Sequence, residues 1–168
     1  QNGKVKARIL DAASLLINLV TEEVEVENGF VKPDGLQIIA VLERHGKSGN
    51  RGLGLIKNFV KAGAIASTVS HDSHNLVCVG ESPFDLSVAA NKLLEVQGGL
   101  VAVKDGQVIA LVELPVGGIM SEEPVEVIAK KVSNFRQVTK EMGIVGYHSS
   151  IIPIMVLALP VAPMVRMT

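Results

Sequence analysis

The chain has no tryptophan, one tyrosine and four phenylalanines, so aromatics make up 3% of its 168 residues. That scarcity excludes recognition of bases or sugars by stacking on an aromatic platform. There is one cysteine, Cys78. It can form no intrachain disulfide, and its place in the apolar run Leu76-Val77-Cys78-Val79 predicts a buried thiol in a reducing compartment. Neither sign of charge is in excess: 16 Lys and Arg stand against 17 Asp and Glu, for a formal net charge of −1. With its basic residues spread along the chain, it lacks the electrostatic footprint of a nucleic-acid binder. The longest apolar stretch, 151–165, is broken by Pro153, Pro160 and Pro163 and falls short of the roughly 20 residues a spanning helix needs. The start, Gln1-Asn2-Gly3-Lys4, carries no apolar leader. A soluble, cytoplasmic protein without nucleic-acid or membrane partners is expected.

What the chain does have is aliphatic content. Hydrophobic residues reach 48%, so the core is built from Val, Ile, Leu, Ala and Met. A chain of this length buries about 68–70% of the surface its unfolded form exposes, which is enough for one core without staples.

Local patterns predict the elements. Val5-Lys6-Ala7-Arg8-Ile9 alternates as a half-buried strand does, whereas 12–20 is compatible with helix or strand. Glu23-Val24-Glu25-Val26-Glu27 alternates strictly and meets Asn28-Gly29, the dipeptide best suited to a tight hairpin because both residues accept positive φ. Apolar runs at 36–42, 53–60, 64–70 and 75–80 read as strands. Ser82-Pro83-Phe84-Asp85 announces a helix by its cap, its first-turn proline and its acidic group at the positive end of the dipole. That helix carries Leu86, Ala89, Ala90, Leu93 and Leu94 on one face and stops at Gly98-Gly99. A hairpin turns at Asp105-Gly106. Ser121-Glu122-Glu123-Pro124 opens a second helix with a stripe of Val125, Ile128, Ala129, Val132, Phe135 and Val138, ended by Gly143. The proline-punctuated tail suits packing against a partner surface. Strands that arrive as neighbouring hairpins, with helices between the later ones, predict an α+β fold, a mostly antiparallel sheet with two or three helices packed on it. The expected division is an amino-terminal strand and hairpin segment, 1–34, and a main domain, 35–168.

Chemistry concentrates in Ser70-His71-Asp72-Ser73-His74-Asn75, directly after an apolar strand. Polar groups at that density are costly to bury without partners, so the segment belongs where the sheet opens. His71, Asp72 and His74 offer two imidazoles and a carboxylate, a donor set that suits zinc, iron or manganese. The alternative is a turn capped by Asp72 with surface histidines. Glu43-Arg44-His45 is a second polar group at a strand end, contributing to the site or forming a solvated charged tip. Whether His45 approaches His71 depends on strand pairing. The glycines of 46–54 and Gly117-Gly118 open no helix after a strand, so they are turn glycines rather than a phosphate loop. Ser67, Ser70 and Ser73 lack the nucleophile elbow of a serine hydrolase.

Several ordered blocks together are more specific than any one of these motifs: Glu43-Arg44-His45-Gly46-Lys47-Ser48-Gly49-Asn50, Gly63-Ala64-Ile65-Ala66-Ser67, His71-Asp72-Ser73-His74-Asn75, Gln97-Gly98-Gly99-Leu100, Leu114-Pro115 with Gly118-Ile119-Met120-Ser121, and Ala158-Leu159-Pro160-Val161. In this order they resemble the carboxyl-terminal region of adenine deaminase, of the amidohydrolase superfamily, from about residue 35 to the end. The resemblance implies hydrolysis of adenine to hypoxanthine and ammonia by a metal-dependent (β/α)8 barrel. The barrel's histidine ligands, including its His-x-His pair, have no counterpart in these residues. By the same resemblance His71, Asp72 and His74 take part in the chemistry, and Glu43, Arg44, His45, Ser73 and Asn75 contact substrate. His71 and His74 are the implied metal ligands on this chain, while the divalent metal (manganese, iron or zinc) sits mainly on the barrel. The implied partners are adenine, the barrel domain and further copies in a homo-oligomer, and the chain alone is expected to be inactive. A non-enzymatic metal- or purine-binding module, or a scaffold domain, is the alternative.

Overall fold

The computed structural model of the chain describes residues 2–14, 17–32, 34–70, 72–144 and 151–159. Nine strands form one sheet: β1 (Gly3–Asp11), β2 (Asn18–Glu27), β3 (Phe30–Val31), β4 (Leu36–Leu42), β5 (Arg51–Lys57), β6 (Ala64–Ser67), β7 (Leu76–Gly80), β8 (Gly99–Lys104) and β9 (Gln107–Glu113). Their order across the sheet is β3-β2-β1-β5-β4-β7-β6-β8-β9. Only β1 with β5 is parallel among the paired strands described; the rest are antiparallel. Three helices complete the described elements: α1 (Pro83–Glu95), α2 (Val125–Glu141) and α3 (Ile151–Leu157). The fold is α+β, as expected.

Strand alternation divides the core into two layers. Ala40, Ala64, Ala66, Leu76, Cys78, Val101 and Val103 face α1, where Leu86, Ala89 and Leu93 cover them. The intervening residues, among them Ile39, Val41, Ile65, Val77, Val79, Leu100 and Ala102, pack with Phe135 of α2 and with Ile154 and Leu157 of α3. Central strands covered on both faces must be apolar at every position, which is why 64–67 and 76–80 read as unbroken runs.

The local signals that were strong produced their elements. Asn28 and Gly29 both have positive φ, 54° and 85°, and the β2–β3 turn forms on them. Ser82 caps α1, its hydroxyl accepting the N–H groups of Phe84 and Asp85. Of the ambiguous stretch 12–20, residues 18–20 open β2, and 15 and 16 lie outside the described residues. Strand 53–60 is displaced to Arg51–Lys57, because Asn58 turns left-handed (φ 62°) and Phe59 and Val60 donate their N–H groups to Gln37 Oε1 instead of to a ladder. The strand predicted over 64–70 ends at Ser67, whose hydroxyl accepts the Val69 N–H at 3.0 Å and draws the backbone out of the sheet. The second helix begins at Val125 rather than at Ser121. Ser121 Oγ accepts the Glu123 N–H in a turn before the helix, and the cap position, Pro124, has no side-chain cap.

The described part of the tail packs at home. Ile154 and Leu157 are 1% and 2% exposed, and α3 lies against β6. The expectation that this tail needs a partner surface is corrected for residues 151–159; 160–168 lie outside the described residues. The segment 1–34 contributes β1 to β3 to the same sheet, and Ile9, Leu10 and Ala12 are buried. No helix of the described residues is long and apolar enough to cross a membrane.

Candidate functional site at one end of the sheet

The antiparallel registers bring four distant segments together. Leu42 pairs with Leu76, Ser67 with both Val77 and Leu100, and Gly99 with Glu113. The segments after β4, β6 and β9 and those before β7 and β8 therefore meet at one end of the sheet. The sequence blocks 43–50, 72–75, 97–100 and 114–121 are those segments.

Glu43 leaves β4 and folds its carboxylate over the following loop. Oε1 accepts the His45 N–H, and Oε2 accepts the N–H groups of Lys47, Ser48 and Gly49. The amides of Gly49 and Ser48, then those of His45 and Lys47, stabilise the ionised form and hold its pKa below the usual 4.5. Arg44 turns the other way. Its Nε donates to the His74 carbonyl at 2.6 Å, and its Nη2 donates to the Gly117 carbonyl. His45 Nε2 lies 2.9 Å from the Ser73 carbonyl. A carbonyl only accepts, so the proton on this contact belongs to the imidazole. Two consecutive residues thus hold two consecutive carbonyls of the 72–75 loop.

That loop has an uncommon backbone. Asp72 and His74 both have positive φ, 68° and 47°, a region that disfavours residues with a Cβ. The His74 N–H donates to the Ser70 carbonyl at 2.7 Å, Ser70 and Ser73 hydroxyls lie 3.4 Å apart, and Ser73 Oγ accepts the Asn75 N–H. His74 Nδ1 is buried and has no hydrogen-bond partner among the described residues. An orphan of this kind in a native fold calls for an explanation, and a ligand is one.

Thr68 joins the remaining segments. It is 2% exposed; its hydroxyl accepts the Gly99 N–H at 2.8 Å and donates to the Gly118 carbonyl at 2.6 Å. Glycine is required at 118: φ is +78°, and a Cβ there would land on the Arg44 guanidinium. A Cβ on Gly98 would meet Gly118 Cα at 2.5 Å. Beside this group lies a cavity of about 200 Å³, lined by Arg44, Thr68, Leu76, Leu93 and Gln97 among others. A larger cavity, about 430 Å³, lies at the opposite end of the sheet between Gln37, Asn58, Lys61 and Glu81. The Gln37 amide is committed to Phe59, Val60 and Gly35, and Asn58 to Asp11. The smaller cavity, lined by Arg44, whose guanidinium bonds the His74 carbonyl, and by Thr68, is the better candidate.

Of the residues singled out from sequence, Glu43, Arg44, His45, Asp72, Ser73, His74 and Asn75 all fall at this end of the sheet; His71 lies outside the described residues. Among the described residues no three His, Cys, Asp or Glu side chains converge as metal ligands. His74 supplies one unpartnered imidazole nitrogen, Glu43 is committed to four amides and His45 to a carbonyl. The described donors do not make a metal centre. Sequence reasoning missed Thr68, Gly98 and the Gly118–Arg44 contact. The visible signal was a hydroxyl closing an apolar run and paired glycines in two distant turns.

Residues 14–168 match the family model of the adenine deaminase C-terminal domain. The chain is 39% identical over 171 residues to an adenine deaminase of Brucella melitensis, covering 99% of the chain and 29% of that relative. It is 41% identical over 172 residues to an adenine deaminase of Moorella thermoacetica, covering 99% and 29%. To adenine deaminase 2 of Shouchella clausii it is 39% identical over 173 residues, covering 100% and 30%. The chain spans less than a third of the length of these curated relatives. It belongs to the adenine deaminase C-terminal domain family.

Proposed function

We propose that the chain is the carboxyl-terminal part of an adenine deaminase and that its 43–45, 72–75 and 117–118 segments form one wall of the adenine site, facing a barrel domain that this chain does not include. The observation that carries this reading is the convergence of four of the family-resembling blocks, 43–50, 72–75, 97–100 and 114–121, on one sheet end that also holds a buried imidazole nitrogen without a partner among the described residues. The reaction is hydrolytic deamination of adenine: water adds at the ring carbon bearing the amino group, the carbon–nitrogen bond breaks, and ammonia departs after taking up a proton. A divalent metal (manganese, iron or zinc), held by the barrel, supplies a more acidic water. His71, Asp72 and His74 are the proton-handling and ring-edge groups contributed from this chain, with Ser73 and Asn75 beside them. Glu43, Arg44 and His45, expected from the resemblance to touch substrate, support this wall through the hydrogen bonds described above. The exposed apolar tip Val116, Ile119 and Met120 supplies contact surface for the barrel. A cytoplasmic homo-oligomer is the assembly proposed.

The test compares adenine-dependent ammonia release by the 168-residue chain and by the full-length protein carrying it. Activity in the full-length protein alone, reduced by His74→Ala and Asp72→Asn without loss of folding, supports the reading. Deamination by the 168-residue chain at the full-length rate overturns it, as does undiminished activity in both variants. Adenine binding with no turnover by the full-length protein would favour a non-enzymatic purine-binding module.

A further inference from the structure

We infer that Arg44 is a positioning residue, which fixes the His74 imidazole by holding the backbone that carries it, and that Gly118 is the other half of this device. The inference rests on the functional reading above for its kinetic consequence, but not for its structural one.

His74 is held at both ends of its peptide frame. Its N–H is bonded to the Ser70 carbonyl at 2.7 Å and its C=O to Arg44 Nε at 2.6 Å. With φ at 47°, the residue occupies a conformation that persists only where its surroundings over-determine it. Since Nδ1 has no partner among the described residues, no hydrogen bond from them at that atom places the ring. The backbone clamp does so. The same guanidinium donates from Nη2 to the Gly117 carbonyl, so one planar fork ties the 72–75 loop to the 116–120 turn. A lysine has one point of attachment and cannot reproduce two donors at fixed spacing. The fork in turn needs the space at Gly118, where any Cβ would overlap it, and Gly118 is anchored through its carbonyl to Thr68. Thr68, Gly118, Arg44 and His74 are therefore one mechanical series.

A substrate-contacting arginine and a positioning arginine separate in kinetics. In the full-length enzyme, Arg44→Lys is expected to lower kcat about 100-fold, the cost of an ångström-scale misplacement, with KM within about twofold of the native value. Arg44→Ala is expected to be partly restored by methylguanidine and not by methylamine. Gly118→Ala should reproduce the kcat loss, and the two changes combined should lose little more than Arg44→Ala alone, because the displaced guanidinium is already absent. In the 168-residue chain, read by NMR, the Arg44 Nε–H should exchange slowly in the native protein, and the His74 ring resonances should shift and broaden in Arg44→Lys. A rise in KM with kcat retained would make Arg44 a substrate contact and overturn the inference. So would unchanged His74 resonances in Arg44→Lys, whatever the enzyme does. A native full-length protein that leaves adenine intact would remove the functional reading alone, and the NMR comparison would still decide the clamp.

Discussion

Replacing Thr68 by valine keeps the shape of the side chain and removes the hydroxyl on which two loops hang. The Gly99 N–H and the Gly118 carbonyl lose their partner together, and both glycines are buried. A buried neutral polar group left unsatisfied costs about 1–3 kcal/mol, so two of them set a range of about 2–6 kcal/mol. The 116–120 turn is exposed on its outer side and can yield to admit water near Gly118, which places the expected loss in the lower half, about 3 kcal/mol. For a domain of this size that corresponds to a fall in Tm of roughly 6–12 °C. Thr68→Ser is the control. It keeps both hydrogen bonds and gives up one methyl group, worth about 1 kcal/mol. Urea unfolding followed by far-UV circular dichroism measures all three proteins, with m expected to be unchanged. A Thr68→Val loss below about 0.5 kcal/mol, less than the low end for a single orphaned group, or a Ser variant weaker than the Val variant, would refute the assignment of the hydroxyl as the tie between β8 and the 116–120 turn.

Three further outcomes are expected. Glu43 has its pKa lowered by the amides of Gly49 and Ser48 before those of His45 and Lys47; a carboxylate lowered on folding stabilises fully above its unfolded value and loses that contribution as pH falls through its folded value. The urea-midpoint gap between native protein and Glu43→Gln should thus be widest near neutrality and close below pH 4.5, and a gap independent of pH would show that the loop does not depend on the charge. Burial pushes the Cys78 thiol up to about 12; a disulfide reagent at mildly alkaline pH should label it only as fast as the protein opens, and immediate labelling of native protein would contradict its place under α1. Ile154→Ala, at a side chain 1% exposed against the α2 face of the sheet, should cost about 2–5 kcal/mol, whereas a tail that merely awaits a partner would lose almost nothing in the isolated chain.

Elements whose ends are set by adjacent residues were legible in the sequence. The cap of α1, the Asn28-Gly29 turn and the Asp105-Gly106 hairpin each depend on chemistry within four positions, and each formed where predicted. Ends set by distant side chains were not. Asn58 closes β5 with a side chain tied to Asp11 at 2.8 Å, and Phe59 and Val60 are drawn off by Gln37, partners more than twenty residues away. The direction of Arg44 was equally hidden. It follows from β4 running antiparallel to β7, which sets Leu42 opposite Leu76 and so puts the residue after Glu43 beside the 72–75 loop. A parallel pairing would have sent the same arginine to the other end of β7. What the residues alone indicated was the neighbourhood of the candidate site; what they concealed was which polar groups are consumed in building it.

That distinction changes how the density of polar side chains is weighed. Glu43, Arg44 and His45 are the most conspicuous charged cluster of the chain, yet the structure gives their polar atoms to backbone amides and carbonyls. Arg44 and His45 sustain a loop with two left-handed non-glycine residues, Asp72 and His74; each such residue costs on the order of 1–3 kcal/mol. A single charge-assisted hydrogen bond contributes about 1.5–3 kcal/mol, so the two bonds from Arg44, with the further bond from the His45 ring, are of the right size to hold both residues there. Removing any of them lets the loop relax toward ordinary backbone, and the group displaced by that relaxation is the His74 ring, whose Nδ1 has no bond among the described residues to restrain it. Strain held by two side chains and released onto one imidazole is what a preorganised wall of a binding site requires, and a turn formed only to reverse the chain between β6 and β7 would have no need of it.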